Sequence, residues 1–352
     1  KSFILFFDLK LFKNSLGSFM LKIPNDEEIS LMTPMLRQYF ALKKQCKDAI
    51  LFFRMGDFYE LFGEEAKLVA PILDITLTSR ERGDQNKIPF CGVPHHSAQN
   101  YWLRLLKKNY RIAIADQTES AEESKGLVKR EIIKILSPGC IDEPEGLSST
   151  KPNYLMAAYE EPESKLWYLT LSDVSTGEFR LTTVENLSKV LAEVYRFEAK
   201  ELLIRRFARP LVERELAKNL SFKPHLSEFS EASLVLGEKK ASLVKEVFSC
   251  LPSFCKPLKS ASTITEAVLS HYKSLKMNLN QFYRVQAFKD EKTMSLDETV
   301  LRDLEVFAST REKSLEGSLF AEINKTLSPM GARYLRQLLM HPFCEKEPIE
   351  TK

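Results

Sequence analysis

The sequence predicts a mixed α/β, multidomain protein that ends in an all-α segment, and three observations predict it. Runs of strand formers alternate with amphipathic helical spacing up to about residue 137. After a linker, three strand-like runs separated by turn signals lead into a helix and a further strand. From about Ile264 onward, leucines recur at helical spacing. A length of 352 residues accommodates two or three domains, each able to bury a core.

Thr33-Pro34 is a helix start, with Thr33 as N-cap and Pro34 at the first helical position. Leu36, Tyr39, Phe40 and Leu42 then supply an apolar helical face. Ala49 to Phe53 reads as a buried strand. Gly56 permits a tight reversal, and Phe58 to Phe62 continues as a second extended piece. Glu64 and Glu65 suit the first turn of the next helix, where the dipole favours acids, and Pro71 limits or kinks that helix. Ser79 to Lys87 reads as a polar loop, with Pro89, Gly92 and Pro94 as punctuation after it. A helix over Ser97 to Lys108 and strands at Arg111 to Ala115 and Glu131 to Leu136 complete a unit spanning residues 24–137.

Residues 138–152, opened by Ser137-Pro138-Gly139 and rich in Pro, Ser, Glu and Gly, read as a linker. The second domain, 153–262, begins with strands at Tyr154–Tyr159, Leu166–Ser172 and Glu178–Thr182. A helix near Leu187–Phe197 and a strand at Leu202–Arg205 follow. Residues 263–352 form the helical segment, with Leu296, Leu301, Leu304, Leu315, Leu319, Leu327, Leu335 and Leu338 on its pattern.

Composition excludes little. A net charge of +3 is too small to argue for nucleic acid, so a binding surface must come from clusters. Two candidates are Arg80, Arg82 and Lys87, and Arg104, Lys107, Lys108 and Arg111. The six cysteines are scattered, and the only close pair, Cys250 and Cys255, has no histidine at zinc-finger spacing, so reduced thiols in a cytoplasmic protein are expected. No apolar run approaches the ~20 residues that cross a bilayer, and no membrane partner is expected. Residues 1–23 stand apart as a leader, and Met20 is the expected start of translation.

The most informative stretch is Met55-Gly56-Asp57-Phe58-Tyr59-Glu60-Leu61-Phe62. On a strand, Phe58 and Glu60 point the same way. A ring beside a carboxylate is an odd pair to bury. It is well suited to enter DNA, where the ring replaces lost stacking and the carboxylate meets a base edge. From spacing alone, the commoner arrangement places Phe58 in the core with Glu60 at its rim.

The motifs around this pair carry a resemblance. Thr33-Pro34-Met35, Phe52-Phe53-Arg54-Met55-Gly56-Asp57-Phe58-Tyr59-Glu60, Leu73-Asp74-Ile75-Thr76-Leu77-Thr78 and Gly92-Val93-Pro94-His95-His96 come first. Ser137-Pro138-Gly139, Asp173-Val174-Ser175-Thr176-Gly177-Glu178-Phe179, Leu296-Asp297 and Ser328-Pro329-Met330-Gly331-Ala332-Arg333 follow. In kind and order they resemble the bacterial MutS mismatch-repair family, from about Asp26 to the chain end. The resemblance implies a mismatch-binding domain, a ribonuclease-H-like connector and the start of a helical core and lever. It implies that Phe58 is a wedge against a mispaired base and Glu60 its hydrogen-bonding partner, supported by Gly56 and Asp57. Arg80, Arg82 and Lys87 become candidate contacts to the DNA backbone, and Asn100 and Tyr101 helpers of a helix beneath the DNA face.

For the parent protein the resemblance implies duplex DNA with mismatches or small loops as ligand, a homodimer, ATP and Mg²⁺ in an ATPase domain past Lys352, and a MutL-type protein and the sliding clamp as partners. None of the twelve glycines opens a Gly-x4-Gly-Lys-Ser/Thr loop, so no ATP binding and no catalytic centre are expected in this segment. Two other readings are a metal-dependent nuclease on the middle domain and a MutS paralogue that binds other DNA structures. The nuclease would need Asp173 joined by further acids; an Asp before Val-Ser-Thr-Gly reads more simply as turn chemistry. The intact Phe-x-Glu argues against the paralogue. His95-His96 reads as a turn rather than a metal site, and His95 stands where the family commonly has Tyr. Ser221 to Lys276 looks shortened relative to the family, and Asp303 stands where Asn is common.

Overall fold

The structure is a computed structural model. It describes residues 23–81, 87–118, 128–142, 152–218, 223–229, 243–248, 251, 258–287, 294, 296, 298–311 and 314–350. The expected start at Met20, Arg82, and the pair Cys250 and Cys255 lie outside the described residues. The chain divides into two compact units, Lys1–Pro138 with Leu275–Met277, and Gly139–Ser274 with Asn278–Lys352.

In the first unit, α1 (Asp26–Ser30) and α2 (Pro34–Gln45) precede β1 (Ala49–Met55) and β2 (Phe58–Phe62). Then come α3 (Glu64–Leu73), β3 (Thr78–Glu81), β4 (Lys87–Pro94), α4 (Ala98–Leu106), β5 (Arg111–Gln117) and β6 (Arg130–Leu136). The sheet runs β3-β4-β2-β1-β5-β6, with β1 antiparallel to β2 and parallel to β5. Strand β1 is central, and its first five residues are buried because both faces are covered. On one face, Leu36, Tyr39, Phe40 and Leu42 of α2 pack with Leu51, Phe53, Phe62, Ala113 and Ala115. On the other, Trp102 of α4 meets Phe52 edge-on at 6.1 Å.

Two expectations are corrected here. Part of the polar loop expected at Ser79 to Lys87 is strand: Thr78–Glu81 is an edge strand paired with β4. An edge strand faces water and can be wholly polar, so it lacks the alternation that marks a half-buried strand. Pro89, Gly92 and Pro94 lie inside β4 rather than between elements, and Gly63 N–H donates to the Pro89 carbonyl at 2.8 Å. Pairing with β2 overrides weak local propensity.

Glu65 has a role beyond favouring the helix dipole. Its carboxylate is buried, accepts the Leu51 N–H at 3.2 Å and pairs with Lys43 at 2.9 Å. The Tyr39 hydroxyl donates to the other oxygen and accepts Phe62 N–H at 3.3 Å. One buried knot thus ties α2, α3, β1 and β2 together. Burial raises the Glu65 carboxyl above its usual range, and the Lys43 ammonium opposes the rise.

The second unit holds β7 (Leu155–Glu160), β8 (Trp167–Asp173), β9 (Glu178–Val184), α5 (Leu187–Arg196), β10 (Glu201–Arg205), α6 (Arg209–Leu216) and β11 (His225–Phe229). After these come α7 (Leu243–Phe248), α8 (Leu258–Ser274), the short β12 (Gln286–Ala287), and helices α9 (Glu298–Asp303), α10 (Leu319–Ile323), α11 (Pro329–Met340) and α12 (Lys346–Glu350). The sheet order is β11-β10-β7-β8-β9-β12. Strands β7, β8 and β9 are antiparallel neighbours, while β7, β10 and β11 run parallel, which is the ribonuclease-H-like opening expected. Helices α5 and α6 cover one face through Val190, Val194, Val212 and Leu216 on Met156, Leu169, Leu202 and Ile204. Within the stretch that looked shortened, Ser221 to Lys276, the structure forms β11 and the 17-residue α8.

Candidate nucleic-acid interface

The β1–β2 hairpin turns at Gly56 and Asp57. Gly56 has φ +57°, in the left-handed region where a side chain is strained, so glycine suits this corner. Arg54 Nε donates to the Gly56 carbonyl. From the turn that follows β4, His95 N–H donates to the Asp57 carbonyl at 2.8 Å, with the His95 Nδ1 3.3 Å from the same oxygen. Two bonds therefore brace the turn that precedes Phe58.

Phe58, Glu60 and Phe62 alternate onto one face of β2. That is the face covered by α2, where Phe62 is buried, but the cover ends before Phe58. Phe58 is 47% exposed and Glu60 is half-buried. On β4, Gly92 pairs with Glu60 and Pro94 with Phe58. A Cβ at Gly92 would lie 3.5 Å from Glu60 Cγ and 4.0 Å from Phe58 Cδ1. The absent side chain thus leaves a bare strip flanked by the ring and the carboxylate.

The intervening residue points the other way and anchors the strand. Tyr59 is buried, its ring edge-on to Trp102 at 5.6 Å, and its hydroxyl donates to Asp116 Oδ2 at 2.8 Å. Burial, helped by the Asp116 carboxylate, pushes the Tyr59 hydroxyl up to about 12. Beneath Glu60, its β1 partner Phe53 carries the Arg130 guanidinium 4.9 Å from its ring centroid. Arg130 donates to the Arg54 carbonyl at 2.6 Å and the Val128 carbonyl at 2.8 Å. Burial lowers its pKa, and the Asp116 and Glu60 carboxylates oppose that fall. A fixed cation therefore stands close enough to Glu60 for their charges to interact.

Of the first basic cluster, Lys87 stands apart from this group. Lys87 is exposed and begins β4, seven residues from Pro94, or roughly 23 Å at about 3.3 Å per strand residue. Arg80 lies on β3 opposite Ile88. The second basic cluster is partly structural. Arg104 donates to the Leu73 and Ile72 carbonyls at 2.8 and 3.2 Å, capping the end of α3, and Arg111 pairs with Asp48. Asn100 is exposed and Tyr101 half-buried on α4.

Sequence reasoning missed Gly92, Asp116 and Arg130 as parts of this site. Only Gly92 carried a signal, its place in Gly92-Val93-Pro94-His95-His96, and it was read as punctuation.

In the second unit, Asp173 is fully buried and committed to its turn. Oδ1 accepts Ser175 N–H at 2.9 Å and Ser175 Oγ–H at 2.6 Å, while Oδ2 accepts Asn153 N–H at 3.0 Å. Turn chemistry accounts for this residue. Among the described residues, no helix is long and apolar enough to cross a membrane.

Models of MutS domain I, domain II and domain III match residues 33–145, 153–210 and 299–352. The DNA mismatch repair protein MutS of Desulfitobacterium hafniense is 36% identical over 329 residues, covering 93% of this chain and 36% of that protein. Its counterpart in Bacillus licheniformis is 34% identical over 320 residues, covering 91% of this chain and 35% of the relative. The MutS of Clostridium novyi is 35% identical over 326 residues, with 91% and 35% covered. The chain spans about a third of the length of the curated relatives it matches.

Proposed function

The chain belongs to the MutS family, and we propose that its first unit recognises mismatched or unpaired bases in duplex DNA as the opening step of mismatch repair. The observation that carries this reading is the exposed Phe58 ring on the face of Glu60, at the braced end of the β1–β2 hairpin. A Phe58 wholly enclosed by its own domain would have removed the reading.

Recognition by this pair rests on deformability. A mispair stacks and pairs poorly, so kinking there costs less than kinking intact duplex. Unstacking a step costs a few kcal/mol, and Phe58 returns part of that by stacking on the displaced base. Glu60 accepts a hydrogen bond from the base edge. Since a carboxylate also repels phosphate, it contributes more to discrimination than to affinity. The bare strip at Gly92 supports close approach of the duplex. Arg80, Arg82 and Lys87 are the proposed backbone contacts, and Lys87 lies about 23 Å along β4 from Pro94, a span on the scale of one duplex width.

Homodimerisation, use of ATP and Mg²⁺, and engagement of a MutL-type protein and the sliding clamp are proposals for the whole protein. Phe58→Ala tests the central reading. It should erase the preference for a G·T duplex over its G·C counterpart in a gel-shift comparison while leaving the fold intact. A variant that still discriminates removes the wedge.

A further inference from the structure

We infer that Cys140, Glu201 and His271 form a buried zinc site in the second unit. The three come from separate elements: the stretch after β6, the first residue of β10, and α8. Cys140 and Glu201 are fully buried and His271 nearly so. Their ligand atoms all lie within 4.8 Å of one another. His271 Nε2 is 3.1 Å from Glu201 Oε1, and Cys140 Sγ is 3.7 Å from Glu201 Oε2. Around a tetrahedral zinc, with bonds of about 2.0 Å to nitrogen and oxygen and about 2.3 Å to sulfur, ligand atoms stand roughly 3.3–3.6 Å apart. The 3.1 and 3.7 Å spacings run to different Glu201 oxygens, and one atom from each of the three residues lies within 4.8 Å of the others, slightly wider than a bound ion would hold them. A small movement of three side chains would admit the ion.

Charge and ligand type point the same way. A thiolate, a carboxylate and a neutral imidazole around Zn²⁺ sum to zero, so the ion is buried with no net charge left over. Sulfur with imidazole selects zinc over the hard cations magnesium and calcium. Ser227, whose hydroxyl donates to Glu201 Oε1, or a water completes the coordination. Binding releases the thiol proton to solvent.

The backbone is shaped around this carboxylate. Gly139 N–H donates to Glu201 Oε2 at 3.2 Å, and a Cβ on Gly139 would sit 2.5 Å from Glu201 Cβ. Only glycine lets the chain pass this close and deliver Cys140 to the carboxylate. Ser137-Pro138-Gly139, prominent in the sequence and unused by DNA recognition, thereby acquires a local reason. A zinc here would staple α8 and the chain after β6 to β10.

Titration of the metal-free protein with Co²⁺ tests this. The expected result is one Co²⁺ per chain, with a thiolate-to-cobalt charge-transfer band and the intense visible bands of a tetrahedral ion, both abolished by added Zn²⁺. Cys140→Ser should lose the charge-transfer band and weaken binding by more than the ~100-fold seen when outer partners of a metal site are lost. Cys344→Ser, which alters an exposed thiol elsewhere, should keep both. Should Cys140→Ser not fold, His271→Gln must shift the visible bands and weaken binding instead. Zn²⁺ should raise the melting temperature of the unaltered protein. Absence of the charge-transfer band in the unaltered protein, or its survival in Cys140→Ser, overturns the site and leaves a hydrogen-bonded core knot.

Discussion

Glu60 and Gly92 face one another across the β2–β4 pair, and a methyl placed on Gly92 would meet Glu60 Cγ at 3.5 Å. That distance is an ordinary contact, so Gly92→Ala should fold with a stability change within about 0.5 kcal/mol. Gly92→Val is different, because its branches would fill the strip between Phe58 and Glu60. It should keep most of its melting temperature yet lose affinity for mismatched duplex, measured by fluorescence anisotropy. Full binding by the valine variant would show that DNA does not approach along this strip.

Phe58→Ala removes an exposed ring, so thermal stability should hardly move. The affinity for a G·T duplex should drop by about 1–3 kcal/mol, the worth of one base–aromatic stack, with little change for G·C. Glu60→Ala should narrow the gap between the two duplexes more than it lowers affinity. Equal loss on both would count against a base contact by Glu60.

The order of elements was legible because burial leaves a pattern. Ala49 to Phe53 is uniformly apolar since β1 is covered on both sides, and Gly56 marks the reversal by its left-handed backbone. What stayed hidden depends on partners distant in sequence. Thr78–Glu81 is a strand only because β4 lies beside it. Arg104 reads as a surface cation, and only the fold brings it to the end of α3. Glu65 reads as a dipole acid, and its burial against Lys43 and Tyr39 follows from the packing of α2 on the sheet. At the candidate site spacing showed only that Phe58 and Glu60 share a face, and the surrounding motifs, not the spacing, pointed the pair outward. Asp116 and Arg130, which hold its neighbours from β5 and β6, were not legible at all.

Lys43 and Glu65 make a buried pair whose separation should be costly. Lys43→Met leaves the Glu65 carboxylate without its cation and should destabilise the protein by ~3–5 kcal/mol in urea denaturation. Lys43→Met combined with Glu65→Gln should recover part of that loss, since no uncompensated charge remains. A double variant as unstable as the single one would mean that the pair does not act through charge.

Arg104 and Lys87 separate structural from DNA-binding cations. Arg104→Ala removes two charge-assisted bonds to the end of α3 and should cost about 1–3 kcal/mol of stability without changing the salt dependence of DNA binding. Lys87→Ala should leave stability alone and reduce the slope of log affinity against log salt by about one. An unchanged slope would remove Lys87 from the interface.

Tyr59 gives the fold an alkaline limit. Its hydroxyl ionises at about 12 in the folded protein, against a usual value of 10, because burial and Asp116 disfavour the phenolate. The folded pKa is the higher one, so this contribution is complete below pH 10 and is lost as pH rises from 10 to 12. Over that window the unfolded chain sheds the proton first, and stability should fall by about 1.4 kcal/mol per pH unit for this group. Tyr39, also raised well above its usual value by burial and by Glu65, adds to the fall. Tyr59→Phe should unfold more easily at neutral pH, having lost its bond to Asp116, yet show a shallower decline between pH 10 and 12 in urea denaturation. A slope identical to that of the unaltered protein would mean that Tyr59 is not the group being held neutral.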